Sequence, residues 1–174
     1  MRPAGAPFNR SGDVIRISIH AVGRLKAGPE RDLVARYLDR GRKAGRGLGI
    51  RDIAVHEIPE ARAGRAEERK AGEAAALVGA LPPACHLIAL DERGAAWSSE
   101  EFATRLRGLA DRGLGDLAFA IGGADGHGAE LLDRADDRLR LGVMTWPHQL
   151  VRIMLAEQIY RAVTILSGHP YHRA

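Results

Sequence analysis

The sequence lacks the residues and runs that several large protein classes require. It holds one cysteine, Cys85, in 174 residues, which excludes an intramolecular disulfide and a cysteine-cluster zinc site. No apolar run approaches the roughly 20 residues that a membrane span needs, because the most apolar stretch, residues 148–167, carries Arg152, Glu157 and Arg161. Residues 1–12 contain no apolar block of signal-peptide length. These absences predict a protein of a reducing compartment, the cytoplasm, with no membrane association.

Two further absences bear on chemistry. No lysine follows Lys70, which argues against a phosphate-binding loop ending in GK[ST]. The chain also has neither the G-x-S-x-G motif nor a cysteine paired with a plausible histidine. Covalent hydrolysis is therefore poorly supported, and an enzyme dependent on NAD or ATP is disfavoured by the missing fingerprints.

The composition is that of one globular domain with an uneven charge. Hydrophobic residues make up 45% and charged residues 28% of the chain, so we expect a single domain over residues 13–174 after a disordered extension at residues 1–12. Residues 1–75 hold 16 Lys and Arg against 10 Asp and Glu, and residues 76–174 hold 10 against 12. The basic excess favours a polyanionic partner such as RNA, although a solvated basic surface explains it equally well.

Hydrophobic periodicity predicts strands and helices in alternation. The predicted strands are Val14–Val22, Ile50–Ile58, Cys85–Leu90, Asp116–Ile121 and Leu139–Trp146. The predicted helices are Pro29–Ala44, Glu60–Ala80, Ser98–Gly113, Ala129–Arg138 and a last one from Pro147 to a stop at Gly168. This order predicts an α/β fold with a mainly parallel sheet and helices on both faces.

Three loops follow strands in the second half of the chain, and in parallel sheets ligands bind beyond the carboxyl ends of the strands. These loops, Leu90–Glu92, Gly122–Gly128 and Thr145–His148, are the predicted walls of a ligand site. The glycine-rich loop lets backbone approach a ligand closely, although its glycines could serve turn geometry and packing alone. In the third loop, Trp146 as a core residue and His148 as a helix cap are the simpler interpretation.

The C-terminal tail concentrates groups that can contact RNA. Residues 169–173 supply two histidines, a tyrosine and an arginine, which suit stacking on an unpaired base and pairing with phosphate. A frayed terminus is the alternative. As metal ligands, His169 and His172 lack an obvious third partner, so no metal is expected.

Four segments in order carry a family likeness: LIALDERGAAWSSEEFA, DLAFAIGGADGHG, LRLGVMTWPHQLVRIMLAEQIYRA and SGHPYHRA. They resemble the ribosomal RNA large subunit methyltransferase H family, small methyltransferases of the SPOUT superfamily. The likeness begins near Val14 but is weak in the N-terminal half of the chain. It is strong from Leu87 onward. It implies S-adenosylmethionine-dependent methylation of N3 of a pseudouridine in 23S ribosomal RNA, with the assembled 70S ribosome as the expected substrate. A non-catalytic ribosome-binding or RNA-binding module of the same fold is the alternative.

The resemblance also implies a C-terminal trefoil knot and a homodimer whose active site straddles the interface. By position, the cofactor-binding residues would be Leu90, Gly122, Gly123, Leu141, Gly142, Val143, Met144, Thr145, Trp146 and Pro147. The RNA-binding residues would be Arg152, His169, Tyr171, His172 and Arg173. Of these, Tyr171, His172 and Arg173 are the expected catalytic residues, with His172 as the base, Arg173 or Arg152 as the anion partner and Tyr171 stacking on the nucleobase.

The chain departs from the family pattern in the glycine-rich loop. Where the family has Pro-Glu after the paired glycines, this sequence has Ala124 and Asp125. The acid is shorter and the backbone freer, so we expect an altered cofactor affinity.

Overall fold

A computed structural model describes residues 14–172, apart from the side chain of His172. The expected extension at residues 1–12 and the catalytic candidate Arg173 lie outside this range. The strands are β1 (Ile15–Val22), β2 (Ile50–Ile58), β3 (His86–Ala96), β4 (Asp116–Ile121) and β5 (Asp137–Arg140). The helices are α1 (Pro29–Gly45), α2 (Ala66–Ala80), α3 (Ser99–Asp111), α4 (Ala129–Arg134) and α5 (His148–Ser167), with 3-10 turns at Arg46–Leu48 and Pro170–His172.

The five strands form one sheet in the order β2-β1-β4-β3-β5, and every pairing is parallel. Helices α1, α3 and α5 pack their apolar sides on one face of this sheet, while α2 and α4 cover the other. The predicted α/β fold with helices on both faces is confirmed. The order places the carboxyl ends of β4, β3 and β5 side by side at one edge.

Strand β1, which lies between β2 and β4, is buried on both faces from Ile17 onward, including Ser18 and His20, which alternate with its isoleucines. His20 is 1% exposed, its Nε2 lies 3.0 Å from the Ser18 hydroxyl, and its ring stacks on His56. Burial, with a smaller contribution from His56, lowers the pKa of His20 to about 4. His20 is therefore a neutral core residue.

The start of α3, which the sequence places at Ser98, is set by a capping box. The Ser98 hydroxyl accepts a hydrogen bond from the Glu101 amide at 3.1 Å, and the Glu101 carboxylate accepts one from the Ser98 amide at 2.7 Å. Two amides that would otherwise be unpaired at the helix start are thereby satisfied. The predicted stop of α5 is also correct, since Gly168 adopts a left-handed φ of 69° after its last residue.

The predicted fifth strand exists, but its predicted bounds are wrong. The strand spans Asp137–Arg140, and residues 141–147 form a loop instead of continuing it. The predicted fourth helix was correspondingly too long, because the Leu87 amide donates to the Asp136 carboxylate at 2.8 Å and the Asp136 amide donates back to the Leu87 carbonyl at 2.9 Å. The apolar residues Val143 and Met144 fit the sequence pattern of a buried strand, yet they are 88% and 70% exposed.

Strand β3 runs past its predicted end at Leu90 through a bulge. Leu139 of β5 pairs with both Leu90 and Ala95, so residues 91–94 bulge out of the ladder. The amide of Arg93 donates to the Asp91 carboxylate at 2.7 Å, which shapes the bulge. At Gly94 an added Cβ would lie 2.6 Å from the Leu139 nitrogen, so only glycine fits.

The second helix begins later than predicted, at Ala66 instead of Glu60. The preceding loop is held to the helix by the buried Glu73, whose carboxylate accepts a hydrogen bond from the Ala61 amide at 3.0 Å. Among the described helices, none is long and apolar enough to cross a membrane. Residues 14–172 also contain no cluster of three or more potential metal-ligating side chains.

Candidate active site

A cleft of about 550 Å³ opens where β3, β4 and β5 end and α5 begins. All three predicted loops contribute to its walls. Nine of the ten residues expected to bind the cofactor line it, and these are Leu90, Gly122, Gly123, Leu141, Gly142, Met144, Thr145, Trp146 and Pro147. Val143 is the exception, since it points into solvent at 88% exposure. Residues from three separate stretches of chain are thus gathered at one edge of the sheet.

The glycine-rich loop forms a tight turn that packs closely on its surroundings. The Gly126 amide donates to the Gly123 carbonyl at 3.1 Å, and Gly126 has a left-handed φ of 82°. A Cβ at Gly123 would lie 2.8 Å from the Glu73 carboxylate and 3.2 Å from Val22. Gly123 therefore packs closely against α2 and β1, and its backbone still faces the cleft.

Asp125, which departs from the family pattern, lies on the outer side of this loop. Its two carboxylate oxygens accept hydrogen bonds from Arg69 of α2 at 2.7 and 3.2 Å. The Arg69 guanidinium holds the pKa of Asp125 below its usual range. Asp125 does not line the cleft, so this residue fastens the loop to α2.

His127 also lines the cleft, and sequence reasoning did not single it out. It is 9% exposed, and its Nε2 lies 3.1 Å from the Leu90 carbonyl oxygen, so a neutral ring can donate there. Burial lowers the pKa of His127 below the usual histidine value. The imidazole therefore ties the loop after β4 to the end of β3, two walls of the cleft. A histidine inside a glycine-rich segment was the available signal, but no motif marks it.

The loop at residues 141–147 exposes a group of large apolar side chains. Trp146 is 40% exposed, so the expectation that it belongs to the core is wrong. Of the five large hydrophobic side chains classed as exposed in the described part of the chain, four lie on or beside this loop, and these are Val143, Met144, Trp146 and Leu150. Such a patch is typical of a surface that another molecule covers.

Arg152 is not at the RNA-accessible surface where the sequence placed it. It is 1% exposed, and its guanidinium donates to the Glu57 carboxylate at 2.7 Å and to the carbonyls of Val22 and Gly23 at 3.3 and 3.0 Å. The same Glu57 oxygen accepts from the Leu25 amide at 2.9 Å. Burial lowers the pKa of Arg152, partly offset by Glu57. In this position Arg152 joins α5 to the ends of β1 and β2, so the structure does not support its predicted role as an RNA or anion ligand.

The tail residue Tyr171 packs against α5. Its hydroxyl donates to the Glu157 carboxylate at 3.2 Å, its ring centroid lies 4.5 Å from that of Tyr160, and the Arg161 guanidinium lies 5.2 Å above it. Burial and the neighbouring Tyr37 and Glu157 raise the pKa of Tyr171 to about 12. Tyr171 is therefore a neutral phenol at physiological pH.

The cleft and Tyr171 occupy different places within one chain. None of the side chains that contact Tyr171 lines the cleft. His169 is exposed, and its Nδ1 accepts a hydrogen bond from the Tyr171 amide at 3.2 Å. The structure thus unites the predicted cofactor residues but does not bring Tyr171, the predicted catalytic residue whose side chain is described, to them.

A second cavity of about 530 Å³ adjoins the cleft through a shared wall, residues 139–142. Its lining includes Tyr37 of α1 and Glu157 of α5, the side chains that lie beside Tyr171. Trp97 and Phe102 supply an aromatic side. The strip from Leu139 to Gly142 therefore separates the cofactor cleft from a cavity next to the tail.

The chain resembles known proteins over almost all of its described length. A family model described as "Predicted SPOUT methyltransferase" matches residues 15–172. Ribosomal RNA large subunit methyltransferase H of Allorhizobium ampelinum is 59% identical over 92% of this chain and 100% of its own length. The protein of that name from Xanthobacter autotrophicus is 60% identical over the same shares. A Legionella pneumophila protein solved with bound SAM is a distant match, with 14% identity, a TM-score of 0.39, and coverage of 92% of this chain and 68% of its own.

The chain belongs to the SPOUT methyltransferases, and among them to the ribosomal RNA large subunit methyltransferase H family. The resemblance found in the sequence is confirmed. Membership of this methyltransferase family supports S-adenosylmethionine as the cofactor, as expected from the resemblance.

Proposed function

We propose that the protein transfers a methyl group from S-adenosylmethionine to N3 of a pseudouridine in 23S ribosomal RNA, within the assembled 70S ribosome. The observation that carries the proposal is the cleft, which gathers nine of the ten residues that the family likeness assigns to the cofactor. Relatives about 60% identical are named for methylation of large-subunit ribosomal RNA. The site of action is then the cytoplasm, where bacterial ribosomes are found.

The residues of the cleft suit this cofactor chemically. Leu90 and Leu141 offer an apolar surface for the adenine ring, and the turn at Gly122 and Gly123 brings backbone groups to the cleft. The side chain of Asp91 would accept hydrogen bonds from ribose hydroxyls or balance a cationic group. When bound, S-adenosylmethionine supplies an electrophilic methyl group on a positively charged sulfur.

The chain's own residues would then align the target base and remove its proton. Alignment of two reactants can be worth roughly 7 to 11 kcal/mol of the barrier. The imide N3 carries a proton that must leave during transfer, so a base and an anion-stabilising group are required. We assign the base to His172 and the cation to Arg173, while the neutral Tyr171 stacks on the nucleobase.

The active site is proposed to be shared between two copies of the chain in a homodimer with the family's trefoil knot. Within one chain the cleft and Tyr171 lie apart, so a complete site needs a second tail. The exposed apolar side chains beside the cleft, among them Met144 and Trp146, give a second copy a surface to cover.

Subunit complementation tests this arrangement. His172→Ala removes the base and is expected to lose roughly 10²- to 10⁴-fold in methyl transfer. Thr145→Trp fills the cleft and is expected to lose methyl transfer by excluding the cofactor. Co-expressed with different tags and purified as a mixture, the two variants should recover roughly a quarter of the wild-type sites, because half of the dimers carry one intact site.

The control for this mixture is the pair of singly tagged variants assayed at the same total concentration. His172→Ala should still bind S-adenosylmethionine with wild-type affinity, whereas Thr145→Trp should not. No recovery in a mixture shown to contain heterodimers would assign cleft and tail to the same chain. Cofactor uptake without any methyl transfer by the wild type would favour the non-catalytic ribosome-binding module.

A further inference from the structure

The basic excess of the first half of the chain is concentrated around the C-terminal half of α1. Residues 35–52 contain six Lys and Arg against two Asp and Glu. Both acids are already paired, Asp52 with Arg42 at 3.0 Å and Asp39 with Lys43 at 2.7 Å. Four cations are left over, Arg36, Arg40, Arg46 and Arg51, and they are exposed and form no ion pair with any residue between 14 and 172. The three that lie on α1 or directly after it, Arg36, Arg40 and Arg46, make the α1 basic patch.

This patch borders the place where the tail packs. Arg36 and Arg40 are one helical turn apart and therefore share a face of α1. Tyr37, next to Arg36 and three residues before Arg40, packs against Tyr160 and lies beside Tyr171. Arg40 therefore lies on the side of α1 that is turned toward the tail.

We infer that the α1 basic patch binds the phosphate backbone of the ribosomal RNA that flanks the target nucleotide. The inference rests on the proposed function, which places the tail at the reacting base. Exposed guanidinium groups without carboxylate partners can bind phosphate without first breaking an ion pair, and each contact releases condensed counterions. Because such contacts carry no sequence information, the patch supplies affinity and orientation, while tail and cleft supply the chemistry.

Removal of two of these charges tests the inference. In Arg36→Gln/Arg40→Gln, affinity for 70S ribosomes that lack the methyl group should fall roughly tenfold at moderate salt, and the slope of log affinity against log salt should shrink by about two. Affinity for S-adenosylmethionine and kcat at saturating ribosomes should remain those of the wild type. The matched control, Arg65→Gln/Arg112→Gln, removes the same charge from exposed positions at the start of α2 and the end of α3.

Ribosome binding and methyl-transfer turnover are measured separately, so that the inference about the patch and the proposed reaction are tested independently. An unchanged salt slope in Arg36→Gln/Arg40→Gln, or an equal loss in the control, would overturn the inference. If the wild type binds ribosomes but transfers no methyl group, the proposed reaction is wrong, and the binding data still decide the role of the patch. A lowered kcat with unchanged ribosome affinity in Arg36→Gln/Arg40→Gln would also contradict the inference that the α1 basic patch binds RNA.

Discussion

Arg152→Met is expected to lower the free energy of unfolding by about 3 kcal/mol. The methionine fills similar space but removes the charge that faces the Glu57 carboxylate, and it leaves the carbonyls of Val22 and Gly23 without their buried donor. Glu57 keeps some solvent access, with 32% of its side chain exposed, which moderates the loss. Affinity for S-adenosylmethionine should fall as well, because Val151, the preceding residue, lines the cleft.

The control is Arg16→Gln, which breaks an exposed ion pair of similar geometry. Arg16 contacts Asp116 at 2.6 Å but is 57% exposed, so its loss should cost at most about 1 kcal/mol. Chemical denaturation followed by circular dichroism measures both variants. Adding Glu57→Gln to Arg152→Met should recover part of the stability, because the unpaired carboxylate is then removed. Equal stability of Arg152→Met and Arg16→Gln would contradict the interior role of Arg152.

Gly94→Ala is expected to be nearly as damaging, with a loss of about 3 kcal/mol. The added methyl group would lie 2.6 Å from backbone atoms of Arg138 and Leu139, and backbone cannot move aside as a flexible side chain can. The bulge of β3 and the strand β5 would have to separate. Since β5 leads directly into the loop at residues 141–147, cofactor affinity should decrease together with stability.

Gly72→Ala is the matched control, since it makes the same substitution where there is room. Gly72 lies within α2, is exposed, and its added Cβ would meet only Ala61 at 3.8 Å. Alanine restricts the unfolded chain more than glycine does, so stability should rise by about 0.5 to 1 kcal/mol. Thermal unfolding in the presence and absence of S-adenosylmethionine compares the two variants. A Gly94→Ala protein as stable as the wild type would show that the bulge is not packed as described.

The sequence predicted the fold class because the alternation of period two and period 3.6 is strong in this chain. The capping box at Ser98 and the stop at Gly168 also follow local rules that tertiary contacts did not override. The end of the chain's fifth strand was mispredicted because exposed apolar residues such as Val143 look like a buried strand. Hydrophobic periodicity shows which residues are apolar. It does not distinguish apolar residues of the core from apolar residues on an exposed surface.

The cofactor cleft could be located from sequence, but the environment of individual side chains could not. Loops at the carboxyl ends of parallel strands meet at one edge, so Leu90, Gly123 and Thr145 come together as expected. The sequence position of Arg152, just after this cleft, suggests a surface residue. In the structure it is buried and paired with Glu57, which lies 95 positions earlier in the chain. A contact between such distant positions leaves no local pattern. The same holds for Tyr171, whose partners lie on α5 and α1.

The most direct test of the proposed function is transfer of labelled methyl from S-adenosylmethionine to ribosomes from a strain that lacks the modification. The labelled nucleoside is then identified by mass spectrometry. We expect the label on N3 of one pseudouridine of 23S ribosomal RNA, in 70S ribosomes more than in free subunits. Label on another nucleoside, or none in spite of cofactor binding and dimerisation, would contradict the proposed reaction.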